Sequence, residues 1–90
     1  MKAVELAPGS AWAHATLGRV YLEMGDAVRA QEQLQLAVDL EPENVTWLLA
    51  LADGYRKLGQ TEKAVDLYQQ VLIMQPGNQR ASEALQALSP

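Results

Sequence analysis

Residues 11–42 read AWAHATLGRVYLEMGDAVRAQEQLQLAVDLEP, and residues 45–76 read VTWLLALADGYRKLGQTEKAVDLYQQVLIMQP. Overlaid at a shift of 34 residues, they agree at Leu17/Leu51, Tyr21/Tyr55, Gly25/Gly59, Ala30/Ala64, Gln35/Gln69 and Pro42/Pro76. Apart from the glutamines, these are residue types that pack or punctuate, and most positions between them differ. A fixed period of this length marks stacked, similar units that bury a core against one another. The same punctuation occurs three times, as Ala7-Pro8-Gly9-Ser10, Glu41-Pro42-Glu43-Asn44 and Gln75-Pro76-Gly77-Asn78. Lys2-Ala3-Val4-Glu5-Leu6 also aligns with Leu36-Ala37-Val38-Asp39-Leu40. The chain thus divides into a repeat tail over 1–10, units over 11–44 and 45–78, and a last segment over 79–90.

Each unit reads as helix, tight turn, helix. Ala13, Leu17, Val20, Tyr21 and Met24 recur at three- and four-residue steps, which predicts an amphipathic helix over 11–24 with these residues inward. Gly25 supplies positive φ at the helix end, and Asp26 is suited to capping a second helix. That helix carries Ala30, Leu34, Ala37, Val38 and Leu40 on its inner stripe. Pro42 ends it and Asn44 caps the next. The second unit predicts helices near 45–58 and 62–74, with Gly59 between them and Pro76 and Asn78 after. A fifth helix near 79–88 presents Ala81, Ala84, Leu85 and Leu88 inward and Arg80, Ser82, Glu83 and Gln86 outward. No segment alternates as a strand does, so the fold class is all-α.

Composition narrows the function. Ninety residues with 49% hydrophobic content make one small folded domain. The net charge of −4 with seven basic residues argues against nucleic-acid binding. The longest apolar run, Trp47 to Ala52, is far too short to insert in a membrane. With no cysteine and one histidine, the chain has no cysteine–histidine metal cluster and no thiol chemistry. Gly25, Gly59 and Gly77 follow helices rather than strands, so no phosphate loop is implied. Carboxylate pairs such as Asp39 with Glu43 lie at helix ends, where they cap and solubilise. An enzyme and a bound cofactor are not expected.

The residues Leu17-Gly18, Tyr21, Gly25-Asp26, Ala30, Ala37 and Pro42, repeated as Leu51-Ala52, Tyr55, Gly59, Ala64, Tyr68 and Pro76, resemble the tetratricopeptide repeat. The resemblance covers nearly the whole chain and implies an α-solenoid of helix–turn–helix units in a right-handed superhelix. It places small residues where helices approach closely, at Gly18/Ala52 and Ala30/Ala64, with Tyr21 and Tyr55 filling the gap between helices. The chain departs from the family where a large aromatic is usual early in the first helix: His14 and Leu48 stand there, with Trp12 and Trp47 nearby. His14 reads as packing or as part of a solvated helix face. Gly54, inside a predicted helix, is explained either by close helix packing or by close approach of a ligand.

In this family the first helix of each repeat lines a concave groove. The resemblance assigns to that lining Trp12, Ala15, Thr16, Arg19 and Glu23 from the first unit. From the second it assigns Thr46, Leu49, Ala50, Asp53, Arg56 and Lys57, and from the last helix Arg80 and Glu83. This mixture suits an extended peptide or an amphipathic helix of a partner protein, and Trp12 is a hot-spot type of residue. The family's carboxylate clamp for chaperone C-termini is not implied. Ala15, Arg19 and Ala50 stand at its first three places, Arg80 alone fits a basic position, and Ala84 stands where a second arginine would be. Two readings follow, a partner-binding scaffold and a structural spacer or self-assembly element. Residues 1–8 read as a helix tail without its partner helix, so the chain is expected to be a piece of a longer array that self-associates through an open N-terminal end.

Overall fold

The computed structural model describes residues 10–88, which form five α-helices: α1 (Ala11–Glu23), α2 (Ala27–Leu40), α3 (Val45–Lys57), α4 (Thr61–Met74) and α5 (Gln79–Leu88). The repeat tail expected over 1–10 lies, apart from Ser10, outside the described residues. Each helix packs on the next, most closely α1 on α2 and α3 on α4, and α1 also touches α3. The architecture is a row of helical hairpins closed by α5, with no strand among the described residues.

Local chemistry sets the breaks. Ser10, Asp26, Asn44 and Asn78 each accept a backbone N–H three residues on, from Ala13, Arg29, Trp47 and Ala81. These bonds satisfy amides that a helix start leaves without an intrahelical acceptor. Gly25 and Gly59 take φ of +84° and +77° at the turn within each hairpin, as expected of helix-terminating glycines. Asn44 also donates to Glu41 Oε1 at 2.9 Å, and Trp47 Nε1 donates to the same oxygen at 2.8 Å. Trp47 thereby holds the loop between the repeats.

The core forms two clusters. One joins Ala11, Ala15, Ala30, Leu34, Ala37, Ala50 and Leu51; the other joins Leu48, Leu49, Ala52, Ala64, Tyr68, Val71, Ala81 and Ala84. Tyr55, Val38 and Leu67 pack against both, which ties the hairpins together. Full burial of each of Leu34, Leu48, Leu51 and Val71 contributes roughly 1.5–3 kcal/mol, and Tyr68 is buried with them. Tyr55 fills the inter-helix space as the pattern implies, and its hydroxyl donates to Gln35 and accepts from Gln31, both at 3.3 Å.

The inner stripe of α1 differs from the expected one. Ala13 is buried as expected and Leu17 and Tyr21 are half-buried, but Ala11, Ala15 and Gly18 are buried too, whereas Val20 is 44% and Met24 70% exposed. Leu40, placed inward on α2, is half exposed as well. Periodicity gives the angular spacing of a stripe, but burial depends on which neighbours lie over it. Leu34 packs so close to Gly18 that only glycine fits there, and the helices meet on that smaller-residue face. Gly54 faces α2 and not the groove: a Cβ there would lie 3.7 Å from Leu34 Cδ1 and 4.0 Å from Gln31 Cα. That is ordinary contact, so neither a ligand nor close packing demands glycine at this position.

Candidate functional site

The first helices of the repeats, α1 and α3, stand side by side with α5, and a groove runs across them. Two confluent depressions form it. One, of about 340 Å³, is lined by Arg19, Leu22, Glu23, Thr46, Ala50, Asp53 and Arg80. The other, of about 760 Å³, is lined by Leu22, Asp53, Arg56, Lys57, Arg80, Glu83, Ala84 and Ala87. Leu22, Asp53 and Arg80 belong to both, so the depressions meet there.

Of the residues assigned to the groove from sequence, Arg19, Glu23, Thr46, Ala50, Asp53, Arg56, Lys57, Arg80 and Glu83 come together in this way. Ala15 and Leu49 do not point outward. Ala15 is fully buried and Leu49 is 5% exposed, because Ala15 packs in the cluster shared by α1, α2 and α3 and Leu49 in the cluster shared by α3, α4 and α5. Ala50 is also buried, at 8%, and reaches the groove only as part of its floor. Trp12 is half exposed and Thr16 half-buried, and neither lines either of these two depressions. His14 is turned to α2, with Nδ1 2.8 Å from Gln33 Oε1. The sequence reading missed Leu22, Ala84 and Ala87. Leu22 was detectable, since it lies three residues beyond Arg19 on the same face of a helix. Ala84 reads as inward and also falls at a basic position of the family's clamp, and it is both 8% exposed and part of the groove lining. Ala87 was not detectable, because an alanine there reads equally as core.

A polar network lies where the depressions join. Arg80 Nη2 sits 2.5 Å from Asp53 Oδ2, and the Tyr68 hydroxyl donates to Asp53 Oδ1. Tyr68 is 1% exposed. Its hydroxyl pKa is pushed up to about 12, first by burial, then by the hydrogen bond to Asp53 and that carboxylate's charge, with Arg56 acting in the opposite direction. Tyr68 therefore keeps its proton at physiological pH and remains a donor to Asp53. Glu83 accepts from Gln79 Nε2 at 2.8 Å. Four cationic side chains and three carboxylates line the groove, on a chain whose net charge is −4. Among the described residues, no group of three or more His, Asp or Glu could hold a metal, and no helix is long and apolar enough to cross a membrane.

The sequence pattern of the family described as Tetratricopeptide repeat matches residues 15–79. This chain belongs to the tetratricopeptide repeat family. Among curated proteins it is similar to Translocon at the outer membrane of chloroplasts 64 of Pisum sativum, with 25% identity over 87 residues. That match covers 97% of this chain and 15% of the translocon protein, so the chain spans a small part of the relative's length. Among solved structures it is similar to the first TPR of Spaghetti (RPAP3) bound to HSP90 peptide SRMEEVD, with a TM-score of 0.89 and 21% identity. The superposition covers 97% of this chain and 69% of that one. At this identity the likeness shows a shared tetratricopeptide repeat fold.

Proposed function

We propose that this tetratricopeptide repeat chain is a protein-interaction module that holds a peptide or helix of a partner protein in the groove of α1, α3 and α5, acting as a scaffold or adaptor. The observation that supports this reading most is the confluence of two open depressions along adjacent first helices, with apolar floor residues and charged walls. An extended segment crossing them would bury apolar side chains against Leu22, Ala84 and Ala87 and meet Arg19, Arg56 and Lys57 along its length. The Spaghetti structure, a similar fold holding a peptide, is consistent with it. Alanines at Ala15, Ala50 and Ala84 offer no polar group, so the family's carboxylate clamp is not part of the proposal. Catalysis is not part of it either, since the groove's titratable side chains are paired or serve as charges on its walls.

The test is a peptide panel presented to the purified chain. Arg19→Glu with Arg56→Glu should weaken capture of the groove-bound peptides by about tenfold or more, through lost contacts and like-charge repulsion. The melting temperature should stay close to that of the parent. Unchanged capture by that double variant would remove the groove from the account.

A second reading, self-assembly, is favoured by Val20 and Met24. They are exposed on α1, while their counterparts in the next repeat, Gly54 and Leu58, are buried and half-buried. A surface that one repeat uses for stacking is thus open on the other.

A further inference from the structure

Asp53 of α3 and Arg80 of α5 lie 27 residues apart in sequence, and their ion pair stands where the two depressions meet. We propose that Asp53 is a built-in competitor in the groove: its carboxylate holds Arg80, and a carboxylate of the bound peptide displaces it to reach that guanidinium. The inference rests on the peptide-groove reading and adds the chemistry that the groove selects.

Three observations carry it. First, the two partners differ in freedom. Asp53 is fixed from below by the buried Tyr68 hydroxyl, while the Arg80 side chain is 62% exposed against 31% for Asp53. Arg80 is therefore the side that moves. Second, an ion pair this accessible to water contributes little to stability, so exchanging one carboxylate for another leaves the fold intact. Third, Arg56 and Lys57 line the same depression, and neither makes an ion pair among the described residues. An incoming carboxylate that takes Arg80 from Asp53 would sit among three cations. Glu83, the other carboxylate there, bonds to Gln79 and leaves Arg80 to Asp53.

The competition sets a magnitude. Affinity for a carboxylate ligand is reduced to the fraction of time Arg80 is free, so an exposed pair at the upper end of its usual strength, holding Arg80 about four-fifths of the time, costs about fivefold. Asp53→Asn removes the competing charge and keeps an oxygen for Tyr68. Two fluorescein-labelled probes separate the sources of the carboxylate: amidated hexaglutamate offers only side-chain carboxylates, and a glycine–serine hexapeptide acid offers only a terminal one.

By fluorescence anisotropy at low salt, D53N should bind at least one probe about fivefold more tightly than the parent. E83Q removes the same charge from the same depression without releasing Arg80, and should gain about twofold or less by long-range electrostatics alone. In an R80Q background the D53N gain should fall to the E83Q level. Equal gains for D53N and E83Q, or a D53N gain that survives R80Q, would overturn the proposal. If D53N does not fold, titration of hexaglutamate and of the glycine–serine acid into the parent decides it. A probe that binds without moving the NMR signals of Asp53 Cγ and Arg80 Nε refutes the exchange. Groove binding that R19E/R56E abolishes but D53N leaves unchanged overturns this inference and spares the groove reading. Failure of every peptide in the panel, these probes included, overturns both.

Discussion

Gly18 and Gly54 both lie within first helices of a repeat, and a methyl group on either would meet Leu34, but at different ranges. At Gly18 a Cβ would come within 2.7 Å of Leu34 Cγ and 3.1 Å of the Ala30 carbonyl oxygen. Leu34 is fully buried, and the carbonyl is backbone, so neither yields easily. At Gly54 the nearest atom, Leu34 Cδ1, is 3.7 Å away. Replacing a helical glycine by alanine gains about 1 kcal/mol in either place. At Gly18 that gain is outweighed by overpacking of about 1–3 kcal/mol. G54A should therefore raise the melting temperature by about 4–8 °C, and G18A should lower it by up to about twice that amount. Calorimetry finding G18A more stable than G54A would contradict this packing. Sequence alone separated these glycines only halfway. The repeat pattern marked Gly18 as a required small residue, but the vacancy beside Gly54 depends on Leu34 of the other repeat.

Capping shows the same division between what local sequence dictates and what one repeat lacks. Asp26 and Gln60 occupy equivalent places before α2 and α4, with φ, ψ of −97°, 77° and −89°, 70°. The Asp26 side chain accepts from Arg29 N–H, whereas Gln60 makes no side-chain cap bond. The backbone of α4 is thus already shaped for a cap that its sequence does not supply. Gln60→Asp should stabilise the chain by about 0.5–1 kcal/mol, and Asn44→Ala, which removes the bond to Trp47 N–H, should cost about 1 kcal/mol. Denaturant melts measure both, and a Q60D midpoint at or below the parent's would show that α4 starts elsewhere. The helix bounds themselves were legible, because asparagine, aspartate, glycine and proline act within a turn of where they stand. The burying face of α1 was less so: Val20 and Met24 fit a helical stripe as well as Ala11, Ala15 and Gly18 do. Only the placement of α2 and α3 selects between those faces. Asp53 and Arg80 were each placed in the groove from the repeat pattern, but their pairing required the curvature that brings α5 beside α3.

At the scale of the whole molecule the two ends of the row differ. At the α5 end, Glu83 and Gln86 face solvent and Ser82 is half-buried beside them. At the α1 end, Leu17, Val20 and Met24 occupy the places held in the next repeat by Leu51, Gly54 and Leu58. There Leu51 is 2% exposed and Gly54 is covered by Leu34 and Gln31 of α2. A head-to-tail stack would lay apolar Val20 and Met24 against the polar face of α5, leaving polar groups without partners. Two α1 ends facing each other instead match apolar with apolar, and such a like-with-like contact closes at a dimer. We therefore predict a concentration-dependent monomer–dimer equilibrium, abolished by Val20→Glu with Met24→Glu. Those side chains are exposed in the monomer, so the double variant should melt within about 0.5 kcal/mol per site of the parent at low concentration. Val20 and Met24 line neither depression of the groove, so peptide capture should survive the double variant. Light scattering giving a monomer mass for the parent across a wide concentration range would refute the contact, and growth beyond a dimer would refute its two-fold form.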